Sequence, residues 1–596
     1  MEYPKRIFDI FSMFEKNPQT IGRMVLAEKV NHKWIKYNTQ SYQEISYKLA
    51  AALIEIGLQK GDKVATITNN RPQWNFVDMA ILLAGGVHVT VYPTISDEEF
   101  SYILNHSDSK FVFVANNLLH KKITEICQSI PSVINIFTFD KVENLVNWED
   151  LVELGTKTLN KNLPIIEKNI EQTSEDDLAT LLYTSGTTGT PKGVMISHKN
   201  ILHVSIESSK IMNINHNHKV LDFLPLSHIF GHMTNYIYQI LGISIFYAEN
   251  IAKVADNIHE LQVDGFITVP RLLEAIYEKI ELKAQKLPLI KRKIYNWAVK
   301  IAERYVPYGN QGLFYNFSHK IADTLVFKQW RRALSPNVKF LGCGGSALSP
   351  RLARIFWAAG FRVFEGYGLT ETSPVIAVNY DKKGKINLGT VGPILNGVEY
   401  KIAEDGEILV KGPTLMLGYY KNPQATAKVI NEEGWFKTGD IGFVDEDGYL
   451  HITDRKKEIF KLSNGKYIAP QKLENKLKES FLINQAVVLG ENEKYPVALI
   501  SPNIDFFSEW VKKEKIEIDN KSHISENITL KEKLKKEIEK INKKLAEHEK
   551  IRNFAILKED LSISKGELSN TLKLKRQVIF NKYKYLIDDL YKNKHK

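Results

Sequence analysis

Leu181-Leu182-Tyr183-Thr184-Ser185-Gly186-Thr187-Thr188-Gly189-Thr190-Pro191-Lys192-Gly193 is the stretch on which the reading of this chain turns. The apolar run Leu178 to Tyr183 reads as a strand, behind the acidic lead-in Thr173-Ser174-Glu175-Asp176-Asp177. After it, hydroxyl side chains and glycines surround one lysine. Glycine lets the backbone turn tightly and present N–H groups, and hydroxyls add rotatable donors, so the segment suits a polyphosphate. Lys192 adds a mobile positive charge. This is not a Walker A loop: Pro191 precedes the lysine, and Gly193 follows it instead of Ser or Thr. The competing reading is a solvated linker, but such linkers rarely stand directly behind a buried strand.

Upstream, helices and strands alternate. Ser41-Tyr42-Gln43-Glu44 has capping-box spacing, Ile45, Leu49, Leu53 and Ile56 recur at helical intervals, and Gly57 can close the helix. Val64 to Ile67 reads as a strand, Trp74 to Leu83 as a helix ending before Gly85-Gly86, and Val87 to Val91 as a strand. Ser96-Asp97-Glu98-Glu99 repeats the capping spacing ahead of the strand Phe111 to Val114. This rhythm predicts an α/β fold, a largely parallel sheet flanked by helices. The phosphate-type loop then lies at a strand's C-terminal end, where such sheets bind ligands.

A chain of 596 residues exceeds one ordinary core and implies more than one domain. Its composition, 43% hydrophobic and 25% charged, is that of a globular enzyme. Two cysteines, Cys127 and Cys343, argue against a disulfide framework and for a reducing, cytoplasmic setting. The start reads as no signal peptide, and no apolar run is long enough to span a bilayer. The net charge is +11, of which Ser501 to Lys596 carry +7 (23 Lys/Arg against 16 Asp/Glu). Those charges alternate in sign, which favours a solvated helix surface over a nucleic-acid face.

Further motifs follow. Leu221 to Gly231 is an apolar run with His228 at its turn beside Pro225. Val338 to Leu341 reads as a strand leading into Gly342-Cys343-Gly344-Gly345-Ser346-Ala347-Leu348, glycines that let backbone approach a flat ligand. No His or Lys flanks Cys343, so it reads as packing. Arg362 to Phe364 reads as a strand into Glu365-Gly366-Tyr367-Gly368-Leu369-Thr370-Glu371-Thr372. A carboxylate such as Glu371 beside a triphosphate is costly unless a hard cation lies between them. Glu407 to Val410 reads as a strand before Met416 to Tyr420, a run given no chemistry. In Trp435 to Asp440 the carboxylate can accept two ribose hydroxyls. Asp454-Arg455-Lys456-Lys457-Glu458-Ile459 reads as a linker, and Leu534, Ile538, Ile541 and Leu545 as the core stripe of a later helix.

Tyr183 to Gly193 and Glu365 to Thr372 together resemble the signature motifs of the adenylate-forming superfamily, which includes acyl-CoA synthetases, luciferases and peptide-synthetase adenylation domains. The resemblance runs from about Tyr42 to Arg576. It implies a large domain, 1–453, with ATP and acyl pockets, a hinge, 454–459, and a smaller mobile α+β lid, 460–596. It further implies that Thr184, Ser185, Gly186, Thr187, Thr188, Gly189 and Lys192 grip ATP, and that Thr184 and Glu371 hold Mg2+. Gly345, Ser346, Ala347, Glu365, Gly366, Tyr367 and Gly368 would form the nucleotide pocket, with Tyr367 stacked on adenine and Thr370 on phosphate. Asp440 would hold the ribose, Arg455 reach nucleotide hydroxyls or phosphate, and Lys457 act as the pivot. His228 would lie between the acyl carboxylate and the thiol channel, and His232 near a position where some relatives gate an acyl tunnel.

Family members end in a Thr-Pro-Thr-x-Lys pattern whose lysine is catalytic. Here Ser569-Asn570-Thr571-Leu572-Lys573 corresponds to it, with Asn570 for Pro, which leaves Lys575 as a second choice beside Lys573. Val269-Pro270-Arg271 and the basic, aromatic stretch Leu282 to Leu334 resemble a region of long-chain fatty acyl-CoA synthetases. That stretch reads equally as a membrane-facing insert or as a helical cap with a core face. The implied activity is ligation of a long-chain fatty acid to coenzyme A through acyl-AMP, with ATP, Mg2+ and CoA taking part. The alternatives are transfer to a separate carrier protein, adenylation of another carboxylate, and a non-catalytic lipid or nucleotide sensor. Monomer and homodimer both stay open.

Overall fold

The structure, a computed structural model, describes residues 3–184, 190–514, 526–569 and 573–592. Two large sheets carry the N-terminal part. In the seven-stranded sheet the order is Gly418–Tyr419, Lys192–Ser197, Leu178–Thr184, Val87–Val91, Lys63–Ile67, Ser109–Val114, Asn135–Thr138. Its last five strands run parallel, and Lys192–Ser197 returns antiparallel beside Leu178–Thr184. The eight-stranded sheet is centred on Lys219–Asp222, Gly265–Thr268, Phe340–Cys343 and Arg362–Tyr367, all parallel. A four-stranded antiparallel sheet follows: Glu399–Ile402, Glu407–Lys411, Phe436–Val444 and Leu450–Arg455.

Helices fill the space around these sheets. Every residue of the helix Pro72–Leu83 is buried, and in Ile229–Ile240 all but Phe230 are. The helices Thr39–Glu55 and Trp148–Gln172 lie so close that a Cβ on Gly155 would stand 1.8 Å from the Lys48 carbonyl oxygen. Glycine there is a packing requirement. The first helix begins earlier than its Ser41 spacing suggests. Asn38 is the cap, accepting from the Ser41 amide at 2.8 Å, while the Ser41 hydroxyl answers the Asn38 amide. Ser96 caps Asp97–His106 as its spacing predicts. The strand expected over Val338 to Leu341 is shifted to Phe340–Cys343, because Val338 closes a turn onto Ser335.

The chain changes core after Leu450–Arg455. Leu450 belongs to the large cluster, whereas Phe460 opens a separate one with Leu473, Leu482, Ile500 and Phe554. The C-terminal part has its own sheet, Ile483–Leu489, Val497–Pro502 and Asn553–Ile556. The helix Ile528–Asn542 packs there through Leu534 and Ile538, with Ile541 and Leu545 partly buried beside them. No helix among the described residues is long and apolar enough to cross a membrane.

Candidate active site

The loop that opened the reading is the tip of a hairpin. Tyr183 pairs with Gly193 and Thr184 with Lys192 across the strands, so both ends of the loop are fixed by a ladder. Ser185, Gly186, Thr187, Thr188 and Gly189 lie outside the described residues. The short strand Gly418–Tyr419 joins the far side of this hairpin, with Tyr419 opposite Val194. That pairing sets the Tyr419 ring beside Lys192, whose ammonium lies 4.8 Å from its centroid, within cation–π range. The Tyr419 hydroxyl donates to Glu371 Oε1 at 2.8 Å, and the Met416 amide donates to the Glu371 carbonyl at 3.0 Å. One tyrosine thus ties the phosphate-type hairpin to the acidic motif. Met416 to Tyr420 reads as a run without chemistry, since nothing local marks a contact with Glu371.

Across the eight-stranded sheet, Cys343 and Glu365 are register partners on adjacent parallel strands. Their C-terminal ends carry the two glycine motifs. Glu365 is buried, and its Oε1 accepts the Leu348 amide at 2.9 Å. Its carboxyl therefore holds the Gly345-Ser346-Ala347 loop in place. Burial pushes its pKa up to about 8, so it stays protonated at neutral pH. Gly345 adopts φ +85°. A Cβ on Gly368 would stand 1.3 Å from the Pro374 carbonyl oxygen, which makes that glycine obligatory. Thr370 and Glu371 sit in the short 3-10 turn Thr370–Thr372. Cys343 is buried, its thiol pKa raised by burial and then by Glu365, which is the state of a packed, unreactive thiol.

The Tyr367 hydroxyl donates to Asp440 Oδ2 at 2.6 Å, and Arg455 Nε lies 2.8 Å from Asp440 Oδ1. Asp440 and Arg455 are cross-strand partners, so the hairpin Phe436–Val444 with Leu450–Arg455 sets their contact. Burial raises the Asp440 pKa first; Arg455, Tyr367 and Lys573 pull it back. His228 is the N-cap of Ile229–Ile240, and its Nδ1 accepts the Phe230 amide at 3.1 Å. A backbone amide can only donate, so Nδ1 is bare and the neutral ring carries its proton on Nε2. Lost hydration, then the charge of Lys573, lowers the His228 pKa to about 4. His232, one turn on, is buried, 3.0 Å from the Tyr236 hydroxyl and edge-on to Trp74 at 4.8 Å.

The C-terminal part reaches this same place. Ser569 and Lys573 are bonded to each other: the Ser569 amide donates to the Lys573 carbonyl at 2.8 Å, and the Lys573 amide to Ser569 Oγ at 3.1 Å. Asn570, Thr571 and Leu572 lie outside the described residues. Lys573 is exposed by area, yet lost hydration is the first cause lowering its pKa. Arg455 lowers it further, while Asp440, Glu371 and Glu458 raise it. The electrostatic environment of Lys573 is therefore the set formed by Asp440, Glu371, Arg455 and His228. Lys575 is instead the N-cap of Arg576–Lys582, with its amide on the Glu567 carbonyl at 2.8 Å. Between the two, Lys573 is the residue brought to the site.

Two contacts that sequence reasoning missed span the Asp454–Ile459 stretch. The Gln471 amide donates to Asp454 Oδ2 at 3.1 Å, linking the end of the large antiparallel sheet to the first helix beyond the linker. Arg576 lies 3.1 Å from Glu458 and 2.6 Å from Glu474. Lys457 stands exposed in the turn between them. Partners more than a hundred residues apart, as in Arg576 and Glu474, leave no local pattern.

The family described as AMP-binding enzyme matches residues 15–420, and its C-terminal domain matches residues 457–595. The chain belongs to the AMP-binding enzyme family. Among curated relatives of this AMP-binding enzyme, the long-chain-fatty-acid–CoA ligase FadD15 of Mycobacterium bovis is 32% identical over 550 residues, covering 91% of this chain and 90% of that one. Long chain acyl-CoA synthetase 3 of Arabidopsis thaliana is 30% identical, covering 98% and 92%. Among solved structures, the adenylation domain of a Mycobacterium chelonae carboxylate reductase superposes with TM-score 0.74 at 20% identity, covering 99% of this chain and 91% of that one. An anthranilate CoA ligase in complex with anthranoyl-AMP superposes at 0.73 and 18% identity, covering 99% of each. These superpositions establish the adenylate-forming enzyme fold for this AMP-binding enzyme.

Proposed function

We propose that the protein joins a long-chain fatty acid to coenzyme A in two steps at one site. A carboxylate oxygen attacks the α-phosphorus of ATP, a P–O bond forms, and pyrophosphate leaves with the electrons of the broken bond. The CoA sulfur then attacks the acyl-AMP carbonyl, and AMP leaves as the thiol gives up its proton.

The observation that carries this reading is the electrostatic influence between Lys573, from the C-terminal part, and Asp440, Glu371 and His228 of the N-terminal part, with Arg455 of the linker. Both reactants of the first step are anions, so positive charge must be in position before they approach. A preorganised charge or donor of that kind contributes about 3–4 kcal/mol. Lys573 and Lys192 would supply two such charges. His228, neutral with Nε2–H outward from its cap, is built to donate a hydrogen bond to a carboxylate or carbonyl oxygen, not to take a proton. Asp440, flanked by Tyr367 and Arg455, suits the two hydroxyls of a ribose. Glu371 and the Thr184 hydroxyl are hard oxygen donors and fit Mg2+. When bound there, Mg2+ neutralises phosphate charge.

The second step needs room for the thiol where Lys573 stands. We assign the pivot to 454–459, with Lys457 at its centre and the parts 1–453 and 460–596 moving about it. Support comes from the change of hydrophobic core between Leu450 and Phe460. The names of the relatives favour CoA as acceptor and a long-chain acid as substrate.

Pyrophosphate release from MgATP, measured across a panel of carboxylates with the CoA product weighed by mass spectrometry, tests the reading. Long-chain acids should give release and a mass-identified acyl-CoA. Release with short or aromatic acids alone, or an acyl-AMP that CoA never discharges, would replace it.

A further inference from the structure

Asn70 lies between the strand Lys63–Ile67 of the seven-stranded sheet and the helix Pro72–Leu83. Its Nδ2 donates to the Leu224 carbonyl at 2.6 Å, and its Oδ1 accepts the Leu226 amide at 3.0 Å. One side-chain amide thus grips the backbone on both sides of Pro225. Proline has no N–H to offer, and Leu224 and Leu226 are buried, so their backbone groups need partners from elsewhere. This turn leads straight into His228, whose amide donates to the Pro225 carbonyl at 2.9 Å. Between them, the Thr90 hydroxyl reaches the Ser227 carbonyl at 3.4 Å. A Cβ on Gly231 would stand 2.4 Å from the Pro225 carbonyl oxygen, so the turn lies directly against the helix that follows it.

The two gripping residues belong to the sheet that presents the phosphate-type loop. Lys63–Ile67 and Val87–Val91 are neighbouring parallel strands, and Thr90 is the register partner of Leu182, two residues before Thr184. His228 belongs to the other sheet, since its turn follows the strand Lys219–Asp222. The contact therefore joins the C-terminal ends of two sheets, the ends at which such sheets hold ligands. The helix that His228 caps is fastened to the same segment. The Tyr236 hydroxyl donates to Asp78 Oδ2 at 2.7 Å, and Asn235 Nδ2 to Asn75 Oδ1 at 2.7 Å, both acceptors on Pro72–Leu83. Asp78 is held in turn by His88 of Val87–Val91, 2.7 Å away. With the helix body pinned, the entry turn decides where the His228 ring stands.

We propose that Asn70, seconded by Thr90, is a positioning residue for adenylation: it sets the place of His228 against the phosphate-type loop, and so the line along which the acid's carboxylate meets the α-phosphorus. Asn70 acts through the turn and not on the reacting atoms. The acid and the nucleotide are held from different sheets, and a misplacement of about 1 Å between groups so held can cost about a hundredfold in rate. An amide suits the task because it carries a donor and an acceptor in one plane. The carboxylate of an aspartate, equal in size, could accept from Leu226 but could not donate to Leu224. The catalytic consequence rests on the ligase reading; the placement of His228 does not.

Two measurements on the full chain test this. Nitrogen NMR of the histidine rings at neutral pH needs no substrate. The His228 signal, identified by its loss in His228→Ala, should show the Nε2–H tautomer alone, and in Asn70→Ala the mixture of a free ring. In ATP–pyrophosphate exchange with a long-chain acid, Asn70→Ala should lower kcat/KM for the acid about tenfold or more and leave KM for ATP within about twofold. Thr90→Val should lower it about threefold, in keeping with its longer contact. In the His228→Ala background, Asn70→Ala should lower exchange by less than about twofold, because both changes act through one ring. Full additivity, an unchanged His228 signal, or an equal rise in KM for ATP would overturn the proposal. Should Asn70→Ala not fold, Asn70→Asp takes its place with the same expectations, since it keeps the acceptor for Leu226. An altered His228 signal beside a wild type that exchanges with no acid would sink the fatty-acid reading alone; exchange intact in Asn70→Ala would sink the positioning role alone.

Discussion

The two halves of the candidate site are held by different means. On the large-domain side, side chain grips side chain: Tyr367 on Asp440, Arg455 on Asp440, Tyr419 on Glu371. The two tyrosine bonds lie within 1–453, and the Arg455 contact stands at the edge of the linker. On the other side, Lys573 is held by two hydrogen bonds with Ser569, and electrostatics connects it to Asp440 and Glu371. Among the described residues, the contacts that seat its domain include Gln471 on Asp454, Arg271 on Asn484, Lys478 near Glu274 at 4.0 Å, and the Phe481 ring against Tyr277 at 5.5 Å. On the reading proposed above, the first half would keep the nucleotide through both steps, and the second would deliver a charge and withdraw it.

That contrast can be broken, first on the fixed side. Asp440→Ala leaves Tyr367 and Arg455 without their shared acceptor and should lower kcat/KM for ATP about a hundredfold, roughly 2.7 kcal/mol, in a pyrophosphate-release assay. On the mobile side, Lys457→Pro should keep acyl-AMP formation near its normal rate and slow thioester formation more than about tenfold in single-turnover measurements. Equal loss in both steps would put the pivot elsewhere. Tyr419→Phe removes the hydroxyl that orients Glu371 and should raise the Mg2+ concentration for half-maximal activity about tenfold, with little change in melting temperature.

The smallest effect concerns Glu365. Its folded pKa is raised to about 8 by burial, above the ordinary carboxylate value. The protonated form is thus favoured in the folded state; the stability it contributes is present in full at acid pH. It is lost as pH rises from the ordinary range through about 8. Glu365→Gln keeps an acceptor for the Leu348 amide and cannot ionise. Its melting temperature should fall less between pH 6 and pH 9, roughly the window of that titration, than that of the wild type.

Much of this was legible in the chain. Val87–Val91 and the parallel strands around it follow from short apolar runs punctuated by glycine, and the glycine–hydroxyl motifs sit at strand ends as their composition suggests. The helix Trp148–Gln172 was not legible. Its buried stripe includes Asn162 and Asn169, whose amides donate to the carbonyls of Ala51 and Ala84, and Pro164 lies inside it. Polar residues on the buried side erase the apolar period, and proline reads as a stop. In the site, residue types suggested the roles proposed for Glu371 and Asp440. Their orienting partners Tyr419 and Tyr367 lie 48 and 73 residues away, so only folding reveals those bonds. The resemblance put Lys573 ahead of Lys575, and the structure gives them different surroundings: Lys573 is bonded to Ser569, and Lys575 caps Arg576–Lys582.

Acid-dependent exchange between ATP and labelled pyrophosphate in Lys573→Ala and Lys575→Ala tests the central claim most directly. The account predicts loss of exchange by a hundredfold or more, the scale of one preorganised charge, for Lys573→Ala, and retention within about threefold for Lys575→Ala. Near wild-type exchange in Lys573→Ala, or the larger loss in Lys575→Ala, would contradict it.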